Sequence, residues 1–531
     1  MYQRTVPNSI RESQSISQMN IPLILRTVIH LKPTQIVFQI KNRLKKATYT
    51  EFVCDKNVGG CQFVPFIPKY KCYENGEFSF LNISSPFISW NNTENGMLWA
   101  YNLNYMDWLQ QEGIDYTEAS QWIDKFIDGL SENKIGLDPY PIALRGINWI
   151  KFISQHNVDS EHLKRWNDSL YSQVRLLEKK LEYHLLGNHL LEDSYAWFIS
   201  AIYFNDKRMF SKASKLLLKE LKEQILADGS HYEQSPMYHC ILLDRLLDCY
   251  NFSVNNERFE GQNIITNKLK DYSVLMLGHL ESIVYQDKTY PLFNDAANGI
   301  APTPEMLMAY ANRLGLKWEK IPLSSCGYRK LKSERMEAFV DAGNITATYQ
   351  PGHTHADTFN YELRIDGMPI VVDTGISTYN KTARRQYERS TAAHNTVSIG
   401  NRNSSEVWGG FRVGKRAKVK LLKDTENSIE ATHNGFGIAC NRKFSINGNT
   451  FSVKDEIAAE AISRIHLWHE EKVEQVSKNE IITTHARIGI DNATRIEIRD
   501  EMISTEYNTF HSTKVIDIHF KGKTTYNISI R

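Results

Sequence analysis

The segment His353-Thr354-His355-Ala356-Asp357 places two imidazoles and a carboxylate at alternating positions. In an extended strand, alternate side chains share one face. A strand here would point His353, His355 and Asp357 the same way. That face would hold a group able to move a proton near neutral pH beside a candidate metal ligand. The flanking sequence predicts the strand: Ala347-Thr348-Tyr349 leads into Pro351-Gly352, and Phe359 to Val372 reads as a hairpin turning at Asp366-Gly367. Two further segments carry partners. The hairpin ends on Asp373, and Arg389-Ser-Thr-Ala-Ala-His394-Asn-Thr-Val brings a third histidine ahead of a strand. His355, Asp373 and His394 form a His/Asp/His set with an open coordination position, as zinc takes. Spacing alone leaves open the alternative of hydrogen-bonded structural groups.

These residues need elements to hold them. From about 90 to 325 the chain has helical periodicity. Thr117 to Leu130 has Thr117 as candidate cap and an apolar face. Asp159 to Leu186 is long and amphipathic, and Ser194 to Phe204 is nearly apolar throughout. Ser211 to Leu226, Met237 to Tyr250, Gln262 to Val284 and Pro304 to Leu314 continue the series, with Gly315 placed to end the last helix. Short connections predict antiparallel helical hairpins, and the lack of a fixed repeat favours a toroid over a solenoid. After Ser325 short alternating β-branched segments, separated by turns such as Asn447-Gly448-Asn449, predict an antiparallel β-sandwich. The expected fold is therefore α+β and multidomain. An N-terminal arm (1–90) precedes an α/α toroid, an incomplete helical barrel (91–325), and a C-terminal β-sandwich follows (326–531). Within the arm, Leu23 to Lys46 is basic and amphipathic. It is expected to pack on the main domain, with a membrane-surface position as the alternative.

The 531 residues, 41% of them hydrophobic, suffice for several packed cores. A net charge of +2 gives no global pull toward nucleic acid. Seven cysteines, with no CxxC pair, argue against a disulfide framework, although Cys54 and Cys61 could pair in an oxidising compartment. The opening is polar, and the apolar run 21–29 is broken by Arg26 and too short to span a bilayer. The expectation is a chain without an integral membrane segment, cytoplasmic by default, and periplasmic or secreted if a signal has been removed.

Several motifs in order resemble the heparinase II/III family of polysaccharide lyases: NLNYMDWL (102–109), LLGNHLLED (185–193), DGSHYEQSPMYH (228–239), PGHTHADTFNYELRIDGMPIVVDTG (351–375), RSTAAHNTV (389–397) and VWGGFRVGKRA (407–417). The resemblance implies a toroid followed by a sandwich, and β-elimination on a uronate-containing acidic polysaccharide or oligosaccharide. In that chemistry the uronate carboxylate must be neutralised before the C5 proton can leave, and an acid must protonate the departing glycosidic oxygen. The resemblance implies Asn188 as the carboxylate's hydrogen-bond donor, assisted by His189. It implies Tyr238 as acid, and potentially base, and His353 as the other proton-transfer group. His355, Asp373 and His394 would hold a metal, zinc before calcium, that positions the His353 loop. Glu192, Arg389, Asn102 and Tyr105 are the candidate substrate contacts. The chain departs from the family pattern at Asn360, where a serine is common, and at Asn104, where histidine is common.

Two other functions compete. A glycoside hydrolase would need two carboxylates across the cleft, with Glu192, Asp193, Glu233 and Asp295 available. A non-catalytic polysaccharide-binding protein of a biosynthetic pathway is the other. Trp90, Trp99 and Trp108 are expected in the core rather than as a sugar platform.

Overall fold

The computed structural model describes residues 21–44, 47–56, 58 and 60–531. The polar opening read above for a leader, and residues 45–46, lie outside the described residues. Two helices come first, α1 (Ile21–Val28) and α2 (Pro33–Leu44). A small antiparallel sheet follows (Tyr73–Glu74, Glu77–Phe80, Ile83–Pro86). Then come α3 (Met97–Tyr105), α4 (Tyr116–Asp128), α5 (Pro139–Gln155), α6 (Ser160–Lys180), α7 (Gly187–Tyr203), α8 (Lys207–Gln224), α9 (Pro236–Asn255), α10 (Gln262–Ile283) and α11 (Pro304–Arg313).

The helices form two layers. Helices α5, α7 and α9 pack on one another as an inner row, and α6, α8 and α10 each back one of them. Sequence explains the division. α7 buries every residue except His189, as a helix apolar on all sides must. α8 buries Phe210, Ala213, Leu217 and Leu221 and turns its lysines outward. Caps set the starts. Asp115, not Thr117, accepts from the Glu118 N–H at 2.8 Å and begins α4, while Asp159 begins α6. Trp90, Trp99 and Trp108 lie in this core. All seven cysteines are free, so Cys54 and Cys61 are not bridged. No helix among the described residues is long and apolar enough to cross a membrane.

The sandwich begins at Tyr328. A four-stranded antiparallel sheet (Tyr328–Lys332, Met336–Asp341, Tyr361–Ile365, Met368–Val371) faces a ten-stranded one centred on the paired strands Thr450–His466 and His511–Ile530. Leu363, Ile365, Phe444, Val453, Ile516 and Ile528 fill the space between them. The Asp366-Gly367 turn closes its hairpin with both residues at positive φ, 50° and 79°, and Ile365 pairs Met368. Asn447 pairs Thr450 across Gly448-Asn449. Phe339, Tyr349, Ile376 and Tyr507 of the sandwich join the helical core, so the domains share a packed boundary.

The alternating His353–Asp357 segment is not a strand. It is an irregular loop between the strands Met336–Asp341 and Tyr361–Ile365. Pro351 cannot donate to a ladder. The N–H of Ala356 instead bonds the Arg389 carbonyl at 2.9 Å, and that of His355 bonds the Asn294 side chain at 2.9 Å.

Candidate active site

A cleft of about 660 Å³ runs along the domain boundary, lined by Tyr105, Asn188, His189 and Tyr238 from the helices and His353 and Tyr379 from the sandwich. Four of these converge. The Asn188 side-chain nitrogen is 3.3 Å from Nε2 of His353. The Tyr238 ring stacks on the His353 ring, with centroids 3.9 Å apart. The Tyr379 hydroxyl donates to that of Tyr238 at 3.3 Å and lies 3.4 Å from His353 Nδ1.

Local backbone brings them there. Asn188 opens the first turn of α7 rather than closing a helix. Leu186 and Gly187 precede it, both at positive φ. Gly187 is required twice over: φ is +63°, and a Cβ would sit 2.5 Å from the Glu233 carboxylate. That carboxylate accepts the Asn188 backbone N–H at 2.8 Å and its side-chain N–H at 2.9 Å. Tyr238 lies in the first turn of α9, which Ser235 caps.

Behind His353 sits Asp295. It accepts from His353 Nδ1 at 2.9 Å, from His355 Nε2 at 2.8 Å, and twice from Arg385, at 2.5 and 2.7 Å. Arg385 belongs to α12 (Ala383–Glu388). Burial would push the Asp295 carboxyl up, but Arg385 and the two imidazoles outweigh it and hold it well below the usual range. An ionised Asp295 fixes the proton on His353 Nδ1 and leaves Nε2 as the basic atom facing Asn188. Burial, with the Asp295 and Glu233 carboxylates nearby, raises the Tyr238 phenol, so it stays protonated and able to donate. Burial opposes a charge on His189, but Glu182, 3.0 Å from its Nδ1, prevails and raises its pKa. His189 therefore presents to the cleft an imidazole whose basicity Glu182 raises. Asn102 and Tyr105 line the cleft too, although Asn102 Nδ2 is bonded to the Leu98 carbonyl at 2.8 Å.

Two expected substrate contacts are corrected. Arg389 is fully buried and donates to backbone carbonyls, chiefly Thr354 at 2.8 Å. It braces the His353 loop from behind. Glu192 is fully buried inside the helical layer, with neither oxygen hydrogen-bonded among the described residues. Burial pushes its carboxyl up to about 8, so it is uncharged at neutral pH. Glu233 and Asp295, read above only as carboxylates available to a hydrolase, instead hold Asn188 and His353. Spacing did not reveal Arg385 or Tyr379, which lie in an unremarked stretch of the sandwich.

The proposed ligand set is only partly arranged as read. His355 Nδ1, His394 Nε2 and Asp357 Oδ2 are buried without a hydrogen-bond partner among the described residues, and the two imidazole rings lie 5.3 Å apart. Asp373 Oδ2 already accepts from His394 Nδ1 at 2.8 Å and from Asn360 at 2.5 Å. Burial drops His355 to about 3, which keeps it neutral as a ligand must be. Two imidazoles and a free carboxylate oxygen are donors that suit zinc. A separate group, Asp228, His279 and Cys326, brings three donor atoms within 4.8 Å of one another and could hold a metal ion. There Asp228 already accepts the Ser324 and Cys326 N–H groups, each at 3.0 Å. The two departures from the family pattern fall outside the cleft. Asn360 braces Asp373, and Asn104 bonds the Trp90 carbonyl at 2.8 Å.

Comparison with known proteins bears on the family and the fold. Residues 138–315 match the heparinase II/III N-terminus and residues 317–531 the heparinase II/III-like C-terminal domain. A heparin-sulfate lyase of Pedobacter heparinus is 23% identical over 365 residues, covering 59% of this chain and 53% of that protein. One of Bacteroides stercoris is 21% identical over 333 residues, covering 56% and 47%. The chain thus spans about half the length of the curated relatives it matches. Among solved structures, a heparinase III superposes with a TM-score of 0.67 at 15% identity, covering 93% of this chain and 89% of that one. A heparan sulfate lyase of Pedobacter heparinus gives 0.56 at 19% identity, covering 86% and 81%. With its helical half and its sandwich each matched in order, the chain belongs to the heparinase II/III family.

Proposed function

We propose that this chain is a polysaccharide lyase that cleaves a uronate-containing acidic polysaccharide by β-elimination, leaving an unsaturated uronate. The observation that carries this reading is the meeting of Asn188, Tyr238 and His353, from α7, α9 and the sandwich loop, in one interdomain cleft. The uronate carboxylate is held by the Asn188 amide and the His189 ring, which acidifies the C5 proton. Nε2 of His353, oriented by Asp295, takes that proton. Tyr238 gives its hydroxyl proton to the departing glycosidic oxygen. No water is added and no covalent intermediate forms. The relatives named heparin-sulfate lyases make heparan-type glycosaminoglycan the first polymer to test, with alginate-like and capsular uronates alongside. Unsaturated uronate is read by ultraviolet absorbance. Silence on every polymer, with active control lyases, overturns the proposal.

Carboxylate placement disfavours a hydrolase. Glu192, Asp193, Glu233 and Asp295 are all buried, and none lines the cleft. The acids that do line it, Asp107 and Asp244, are paired with Lys69 at 2.6 Å and Arg245 at 3.0 Å. Product mass separates the two chemistries, because hydrolysis adds water.

Zinc is the metal that the buried donors fit. His355 and His394 would hold it with one carboxylate of their cluster, Asp373 or Asp357. Its role would be to tie the His353 loop to the sandwich. Zinc content of Asp357→Asn and Asp373→Asn, measured by elemental analysis, identifies which carboxylate ligates. Undiminished zinc in His394→Ala would rule out the site.

A further inference from the structure

Helices α1 and α2 are mounted with their polar sides inward. Arg26 forms a two-bond ion pair with Glu406, at 2.8 and 2.9 Å. Trp408 donates to the Thr27 hydroxyl at 3.1 Å. Lys32 pairs with Glu223, and Gln35 bonds the Leu185 carbonyl at 3.1 Å. Gln35 is the one buried residue of α2, and α1 has none. Phe38 packs on the Tyr183 ring, with centroids 4.7 Å apart, but six other apolar side chains point away. Leu25 and Val28 on α1, Ile29 just past its end, and Val37, Ile40 and Leu44 on α2, are between 41% and 84% exposed. They recur at helical spacing, so each helix shows one continuous aliphatic stripe. A soluble surface seldom gathers that much apolar area without a use for it.

Charge identifies the occupant. Residues 21–46 contain Arg26, Lys32, Lys41, Arg43, Lys45 and Lys46 and no acidic residue. Arg26 and Lys32 are spent on the body of the protein. Lys41 and Arg43, beside the α2 stripe, form no ion pair among the described residues. Aliphatic stripes flanked by cations with no acid between them match an anionic lipid surface, where the side chains enter the acyl boundary and the cations meet headgroups. We infer that α1 and α2 form a membrane-docking face that holds the protein flat on an anionic bilayer. Gln35 is bonded to Leu185, and Leu185 lines the cleft. Docking would therefore bring the cleft close to the bilayer, within reach of polymer anchored there.

Flotation of the full chain with vesicles of phosphatidylcholine and phosphatidylglycerol tests this. Wild type should float with the anionic vesicles at low salt, release as salt rises, and ignore pure phosphatidylcholine. Lys41→Gln with Arg43→Gln should weaken binding by roughly 20–30-fold. Val37→Ser with Ile40→Ser and Leu44→Ser should abolish it while leaving the melting temperature unchanged. If that triple variant misfolds, Leu25→Ser with Ile29→Ser on α1 asks the same question. No flotation of wild type at low salt, or equal flotation of the serine variants, overturns the inference. So does wild type that ignores vesicles but dimerises through residues the serine changes disrupt, which would make the face a protein interface.

Discussion

Asp295→Asn is the sharpest test of the site, because it keeps the side chain's size and removes its charge. The native carboxylate accepts four hydrogen bonds, two from Arg385 and one each from His353 and His355. An amide accepts at its oxygen only. If its nitrogen faces His353, Nδ1 must lose its proton and become the acceptor. Nε2 then carries the hydrogen and cannot take one from C5. If the nitrogen faces the other way, it meets the permanently protonated Arg385. In both orientations a buried guanidinium loses its counter-charge, a loss of about 3–5 kcal/mol in stability. Loss of the correct imidazole tautomer costs as much as roughly 10⁴-fold in rate where a carboxylate orients a histidine base. A fall in kcat of roughly 10²–10⁴-fold is expected.

The assay is the initial rate of ultraviolet absorbance on the preferred polymer, with thermal melts alongside. Arg385→Met separates orientation from stability. It removes the buried cation but leaves Asp295 able to accept from His353. Its rate should therefore fall less than that of Asp295→Asn, even where the two variants melt alike. Because the folded pKa of Asp295 is depressed, its contribution to stability is present above the ordinary value of 3.8 and fades as pH falls through the lower folded value. The stability deficit of the Asn variant should accordingly persist across the neutral range and shrink only in strong acid. A folded Asp295→Asn enzyme within threefold of wild type would refute the assignment of His353 as an Asp-oriented base.

Three further outcomes follow from the same geometry. Glu192 has a folded pKa raised from 4.5 to about 8, so the folded state keeps a proton that the unfolded chain gives up, and stability should fall with rising pH between those values. Glu192→Gln should remove that slope, gaining about 1.4 kcal/mol per pH unit over it; urea titrations at pH 5 and pH 8 with equal gains would contradict this. Gly187→Ala forces an L residue to positive φ and a Cβ against Glu233, so it should cost about 1–2 kcal/mol in a melt and slow turnover by displacing Asn188. Tyr238→Phe keeps the stack on His353 and loses only the hydroxyl; a normal melting temperature with turnover down at least roughly 10²-fold is expected, and near-normal turnover would remove Tyr238 as the acid.

Much of this was legible in the chain because the signals are local. Helical periodicity located α6 to α11, since each must bury one stripe or, for α7, every side, but it began α7 at Ser194, seven residues late, and so missed that Asn188 opens it. Asp-Gly and Asn-Gly turns located two hairpins, because few other residues adopt positive φ cheaply. The motif residues Asn188, Tyr238 and His353 were marked by resemblance, and the fold then brought them into contact. The residues behind them left no local trace. Asp295 sits in an ordinary loop and meets Arg385 across 90 positions. Arg385 and Arg389 lie one helical turn apart, and spacing cannot tell which of them faces the carboxylate. Structure gives that place to Arg385 and turns Arg389 onto backbone carbonyls. The strand expected at His353 failed for a similar reason: its backbone bonds go to Arg389 and Asn294 from distant segments, and no ladder forms.

The alternation of His353 and His355 still has a consequence, through a shared acceptor instead of a shared strand face. Both rings donate to Asp295, His353 to one oxygen and His355 to the other. His355 Nδ1 remains free on the far side, toward His394. A metal on the proposed donor cluster would therefore reach the proposed base through one imidazole and one carboxylate. His355→Ala removes that link but leaves the His353–Asp295 bond and both Arg385 bonds intact. A hydrogen bond to a charged group is worth about 1.5–3 kcal/mol, so kcat should fall by roughly tenfold to 10²-fold, less than for Asp295→Asn. Wild type stripped by a chelator should fall to the same level, and stripping His355→Ala should change nothing more. If His355→Ala is as slow as Asp295→Asn while folded, His355 acts on the reaction directly. If chelation slows His355→Ala further, a metal acts by a route other than this loop.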